Sequence, residues 1–84
     1  MSKFYYAYVL KSLKTNQLYI GCTNNLIERV KKHNKGLVFA TKSETPLKLV
    51  YYEACLSKVN AIEREKTLKT GFGRKYLKRR IGNV

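Results

Sequence analysis

Eighty-four residues with 18 Lys and Arg against five Asp and Glu give a formal charge of +13 and a pI near 10.0. A chain this short holds one small domain with a thin core, and 44% hydrophobic residues exclude a disordered basic tail. Such a field attracts polyanions, so nucleic acid is the leading partner. A membrane surface ranks below it, because no lipidation signal and no apolar run near the ~20 residues of a bilayer span are present.

Residues 4–11 read as a strand. Phe4, Tyr6, Tyr8 and Leu10 point one way and Tyr5, Ala7 and Val9 the other. Both faces are largely apolar, which predicts a central strand covered on both sides. Residues 12–16 are turn-like, and residues 17–21 return as the second arm of a hairpin, placing Tyr8 and Tyr19 on adjacent strands. Asn25 followed by Glu28 predicts a capping box opening a helix whose apolar stripe is Leu26, Ile27 and Val30. Arg29 and His33 share one shoulder of that helix, and Gly36 is its stop. Residues 37–46 form a loop. Residues 47–54 are a third strand, with Leu47, Leu49 and Tyr51 alternating with Lys48, Val50 and Tyr52. Ser57 caps a second helix, Gly71-Phe72-Gly73 breaks it, and residues 74–81 form a short basic helix carrying Tyr76, Leu77 and Ile81. The expected fold is α/β (α+β): a three-stranded, mainly antiparallel sheet flanked by helices in the order β-β-α-β-α-α, in a single domain over residues 1–84.

Wound at ~100° per residue, the stretch from Lys58 to Phe72 puts Ala61, Leu68 and Phe72 on one stripe, with Glu65 inside it. An unpaired carboxylate there would cost several kcal/mol. In a chain so poor in acids, a divalent metal ion or a fixed cation is the physical reason to keep it. Cys22 and Cys55 are far apart, and with His33 as the one histidine they fall short of a zinc ligand set. The N-terminus runs into Lys3-Phe4-Tyr5 rather than a secretory signal, so the expectation is a reduced, cytoplasmic protein.

Tyr19-Ile20-Gly21, set in "LYIGCTNNLIERVKKHNKG", resembles the second motif of the GIY-YIG nuclease superfamily, and more narrowly of its small stand-alone bacterial members. Tyr6-Ala7-Tyr8 stands where Gly-Ile-Tyr is usual, keeping the tyrosine at Tyr8. The segment "TPLKLVYYEACLSKVNAIEREKTLK" is similar to the family's third strand and metal-binding helix, with Glu65 at the acidic position. The resemblance implies phosphodiester hydrolysis with one Mg2+ or Mn2+ ion. Glu65 would hold the metal, and Arg29 would grip phosphate through its planar donor fork. Tyr8 would activate or orient water, a task for which a phenol needs neighbouring cations. Tyr19 would bond the nucleophile or share the base role, and His33 would relay a proton or contact phosphate. Gly21 would end a strand where backbone passes close to its neighbour and let substrate approach, or mark a simple bulge. Thr41 and Lys42 are expected phosphate contacts, and Arg74, Lys75, Lys78, Arg79 and Arg80 an expected backbone-binding patch. The leading reading is a metal-dependent DNA endonuclease, structure-selective or targeted by a protein partner, monomeric or weakly dimeric. A binding module on the same fold with little or no activity, and a basic RNA-associated domain, stand as alternatives.

Overall fold

The N-terminal strand takes the middle of the sheet. A computed structural model describes residues 3–82. In it β1 (Tyr5–Ser12) pairs antiparallel with β2 (Leu18–Thr23) on one side and with β3 (Leu47–Cys55) on the other, giving the order β2-β1-β3. Helices α1 (Leu26–Asn34), α2 (Lys58–Leu68) and α3 (Gly71–Ile81) complete the expected β-β-α-β-α-α order. Among the described residues, no helix is long and apolar enough to cross a membrane.

The two apolar faces of β1 each found their cover. Ala7 and Val9 bury against Leu68 of α2 and Leu77 of α3, with Tyr76 and Ile81 packed around them. Tyr8 and Leu10 bury on the opposite face with Leu47, under Leu26 and Val30 of α1. Ile27, expected in the α1 stripe, is instead 71% exposed. A helix only nine residues long, lying over a narrow sheet, covers it with a stripe too thin to include that position.

The strict alternation read for the third strand fails at one point. Val9 pairs with Tyr51 but Leu10 pairs with Leu49, so Val50 is an extra residue, a β-bulge. Leu47 and Leu49 face α1, whereas beyond the bulge Tyr51 joins Val50 on the α2–α3 face. Tyr52 is thereby returned to the side of Tyr8, its direct cross-strand neighbour.

The glycine pair does not break the second helix. The chain leaves α2 at Lys69 and starts α3 at once, with Thr70 as N-cap accepting from the Gly73 amide. Gly71, Phe72 and Gly73 are the first turn of α3, and Phe72 lies outside the Glu65 stripe, 87% exposed. A Cβ on Gly73 would collide with the Thr67 carbonyl and the Leu68 backbone, so glycine is what lets the two helices meet at so tight a corner. The α1 cap also differs in detail. Asn25 Oδ1 accepts from the Glu28 amide at 3.2 Å as a capping box requires, but the Asn25 amide is taken by Thr23 Oγ1 at 3.1 Å rather than by Glu28.

Two ties hold α1 and its following loop to the sheet. Asn34 donates to the Leu47 carbonyl at 2.9 Å and accepts from the Leu47 amide at 2.7 Å. Ser12 Oγ donates to the Glu44 carbonyl at 2.7 Å, and the Leu13 amide to the Pro46 carbonyl at 2.9 Å. Together they fix the end of α1, where His33 sits, and the loop over residues 37–46 that passes in front of it.

Candidate active site

The phenol of Tyr8 is the hub. Its position in the chain aims it off β1 toward β2, across Gly21, its register partner. A Cβ at Gly21 would lie 2.5 Å from Tyr8 Oη and 2.6 Å from Cζ. Glycine is therefore required within β2, in regular register, because the Tyr8 ring occupies the space a side chain would fill. Gly21 does not end the strand, which runs on to Thr23, and what comes close to it is a side-chain ring rather than backbone.

Helix α1 supplies two partners from one shoulder. Arg29 Nε donates to Tyr8 Oη at 3.3 Å, and His33 Nε2 stands 2.9 Å from the same oxygen. The spacing of four residues places both side chains over one point on the sheet. Behind them, His33 Nδ1 lies 2.7 Å from Thr41 Oγ1, so both ring nitrogens are engaged. Thr41 is 2% exposed, with its hydroxyl spent on the imidazole. Burial, and then the Arg29 charge, push the His33 pKa below its ordinary 6.5, so the ring is neutral near neutral pH. A neutral ring donates through one nitrogen and accepts through the other, which ties the Thr41 bond and the Tyr8 bond to a single tautomer choice.

Tyr8, Tyr19, Arg29, His33 and Glu65 all line one cavity of about 270 Å³, with Thr41 of the loop closing another side. Its shape follows from topology. β2 is an edge strand, so the cavity wraps round it. Tyr19 and Gly21 lie on the α1 side of that strand, and Ile20 packs on the α2 side. Glu65 reaches the cavity from α2, beyond the edge. The carboxylate is three-quarters buried, and Oε2 is paired with Lys69 Nζ at 2.9 Å, one turn further along α2. Lys69, its side chain half exposed, is the cation that pairs with this carboxylate in the structure.

Tyr19 donates to Gln17 Oε1 at 3.3 Å, and burial followed by the Glu44 carboxylate pushes its pKa above the ordinary value. That makes it a hydrogen-bond donor rather than a base. Glu44 escaped the sequence reading. It follows a turn, shows no periodicity, and approaches Tyr19 through the tertiary fold, leaving Oε2 buried with no partner among the described residues. Cys22 is a second omission. It lines the cavity one residue beyond Gly21, and burial, with Glu65 next, pushes its thiol pKa up, which keeps it protonated and inert.

The remaining basic residues lie elsewhere. Lys42 is exposed, with its ammonium 5.2 Å from the centre of the Phe39 ring. Arg74, Lys75, Lys78, Arg79 and Arg80 are exposed on α3, which covers the sheet face opposite Tyr8, and none lines the cavity. Arg80 lies over Tyr76, 5.1 Å from its ring centre.

The donor set limits which metal could bind. Among the described residues no group of three or more His, Cys, Asp and Glu is placed to hold an ion. Both His33 nitrogens are engaged, and among the described residues Glu65 is the one carboxylate that lines the cavity. A single hard oxygen ligand fits Mg2+ or Mn2+, which keep most of their water and take substrate phosphate as a ligand. It does not fit zinc.

A family model described as GIY-YIG catalytic domain matches residues 4–81. Similar curated proteins are a UPF0213 protein of Clostridium perfringens, 45% identical over 76% of this chain and 69% of its own length, and one of Staphylococcus haemolyticus, 43% identical over 79% and 80%. A UPF0213 protein of Pediococcus pentosaceus is 41% identical over 77% and 68%.

Proposed function

The chain belongs to the GIY-YIG family, a nuclease family acting on nucleic acid, and on that premise we propose that it is a metal-dependent endonuclease that hydrolyses phosphodiester bonds in DNA. The observation that carries this reading is the convergence on Tyr8 Oη of Arg29 Nε at 3.3 Å and His33 Nε2 at 2.9 Å, in a cavity that Glu65 also lines.

Each residue has a task that its surroundings support. Arg29 keeps donors free after bonding Tyr8 through Nε, and with them it grips the phosphate and neutralises its charge. Neutral His33 accepts the Tyr8 proton at Nε2 while its Nδ1–H donates to Thr41 Oγ1. The Tyr8 oxygen, held by the Arg29 donor, takes a proton from the attacking water as its own passes to His33. Attack forms the new P–O bond in line with the bond that breaks to the leaving oxygen. Tyr19, kept as a neutral donor, bonds a phosphate oxygen or the water. A divalent ion held by Glu65 would supply Lewis-acid stabilisation of the leaving oxygen. Thr41 acts through His33, as a positioning residue.

The test is cleavage of plasmid and branched DNA in magnesium or manganese. We expect the parent to cut and Glu65→Ala to lose at least about 10²-fold in rate. A Glu65→Ala protein that cuts as fast as the parent would refute the metal role. Salt-sensitive binding with no cutting in either metal would reduce the protein to a binding module.

A further inference from the structure

The strongest unassigned feature lies at the other end of the Tyr8 face. Tyr6 stands where the family's first motif usually has glycine, and it points to the same side of β1 as Tyr8. The bulge in β3 brings Tyr52 to that side too, directly across from Tyr8. The Tyr6 and Tyr52 rings meet edge to face, with centroids 5.8 Å apart, and Tyr52 keeps 52% of its surface in solvent. They wall a cleft of about 330 Å³ whose other sides are Leu26, Ile27, Asn24 and Asn25. Asn25 spends its side-chain oxygen on the helix cap, but Asn24 is exposed and presents an amide with both donor and acceptor.

Shared walls link the cleft to the candidate active site. Asn24 also lines a neighbouring cleft of about 410 Å³ walled by Arg29 and Lys58, and Arg29 in turn lines the Tyr8–Glu65 cavity. Lys3 lies along a third cleft that shares Tyr6 and Asn24. Among the described residues no carboxylate lines any of the three outer clefts, and Arg29, Lys58 and Lys3 line two of them.

We propose that the Tyr6–Tyr52 cleft takes an unpaired nucleobase of the strand whose phosphate is held by Arg29. This rests on the nucleic-acid reading above and adds a substrate class to it: DNA with single-stranded character beside the cut. An aromatic ring, two aliphatic side chains and one free amide suit the flat face and polar edge of a base. A base paired in a duplex keeps its faces stacked on its neighbours and has none to offer. Arg29, Lys58 and Lys3 are the cations available to the backbone between base and scissile phosphate.

The test is fluorescence anisotropy in chelator, so that no cutting intervenes, with a labelled single strand and the same sequence as a blunt duplex. We expect Tyr52→Ala to weaken single-strand binding at least about fivefold while duplex binding changes less than about twofold. Tyr52→Phe keeps the ring and should bind as the parent. Asn24→Ala, fully on the surface, should weaken single-strand binding by a smaller factor. Equal weakening of both probes, or no weakening of either, overturns the proposal. So does a parent that binds neither probe. Cleavage in magnesium is scored apart. A parent that shows the Tyr52 dependence but cuts nothing keeps the base cleft and loses the hydrolytic reading.

Discussion

The two faces of the sheet each hold a polar network around a tyrosine, and they differ in what is left over. On the α2–α3 face, Tyr51 Oη donates to Glu53 Oε2 at 2.6 Å and lies 3.1 Å from Tyr76 Oη. Arg64 closes on the same carboxylate through Nε at 2.7 Å and Nη2 at 3.0 Å, with its guanidinium 4.8 Å from the Tyr76 ring centre. Burial alone would raise the Glu53 carboxyl pKa, but Arg64 and the Tyr51 hydroxyl outweigh it and hold the pKa below 4.5. Burial, and then the bond to Glu53, push the Tyr51 phenol well above its ordinary range. Both oxygens of the Glu53 carboxylate are engaged, and the cluster staples α2 and α3 to β3. On the α1 face, Tyr8, His33, Thr41 and Arg29 are linked as tightly, but the guanidinium is committed only in part and a carboxylate stands across a cavity. A guanidinium closed on its own carboxylate supports a fold; one with donors facing a cavity can hold a ligand.

The sharpest way to break that contrast is to remove one hydroxyl from each side. Tyr8→Phe should lower cleavage by the folded protein about 10²-fold or more, with a stability loss of about 1–3 kcal/mol for the partner taken from buried His33, as read by plasmid nicking and calorimetry. A Tyr8→Phe protein with parental cleavage would move the chemistry elsewhere. Gly21→Ala is the steric version. Its methyl group meets the Tyr8 ring, so we expect a roughly tenfold loss of activity or more, and destabilisation of about 1–3 kcal/mol.

On the stapling face the loss should fall on stability alone. Arg64→Ala leaves Glu53 without its cation. Both side chains remain about a quarter exposed, so solvent screening keeps the loss to about 1–2 kcal/mol by urea unfolding. Cleavage by the folded fraction should stay at the parental rate. A collapse of activity at full occupancy of the folded state would show that the two faces are coupled.

The smallest effect expected is a split in pH dependence. The folded pKa of His33 lies below 6.5, so its contribution to stability is whole above pH 6.5 and fades as pH falls from there through the folded value. The folded pKa of Glu53 lies below 4.5, so its contribution persists to about pH 4.5 and is lost only below that. Unfolding measured stepwise from pH 7 to 3 should show the first decline absent in His33→Gln and the second absent in Glu53→Gln. Cleavage should follow the first, because protonated His33 cannot accept from Tyr8.

Local pattern carried much of the fold. Alternation in β1, the Asn25 and Ser57 caps and the Gly36 stop are backbone chemistry that each short segment states alone, and the structure has all of them. The Val50 bulge and the direct passage from α2 to α3 were not legible. A bulge costs one residue of alternation and has no composition signal, and a glycine in a first helical turn reads like a glycine in a break. At the candidate site the sequence named Tyr8, Tyr19, Arg29, His33 and Glu65, which lie around one cavity. It named Thr41 without the imidazole that takes its hydroxyl, and passed over Glu44 and Cys22.

By itself, the sequence determined a strongly basic α+β domain, because charge, period and caps are sums over neighbouring residues, and its motifs carried the resemblance to the GIY-YIG family. The tertiary structure decided what those residues do to one another: that Gly21 is empty to admit a phenol, that His33 is neutral between Tyr8 and Thr41, that Lys69 pairs with Glu65, and that Tyr52 faces the Tyr8 side. These are distances between side chains brought together from different elements, or by the local geometry of a helix or bulge. Apart from the Glu65–Lys69 pair, which one helical turn sets, no local rule of sequence fixes them until the sheet has closed.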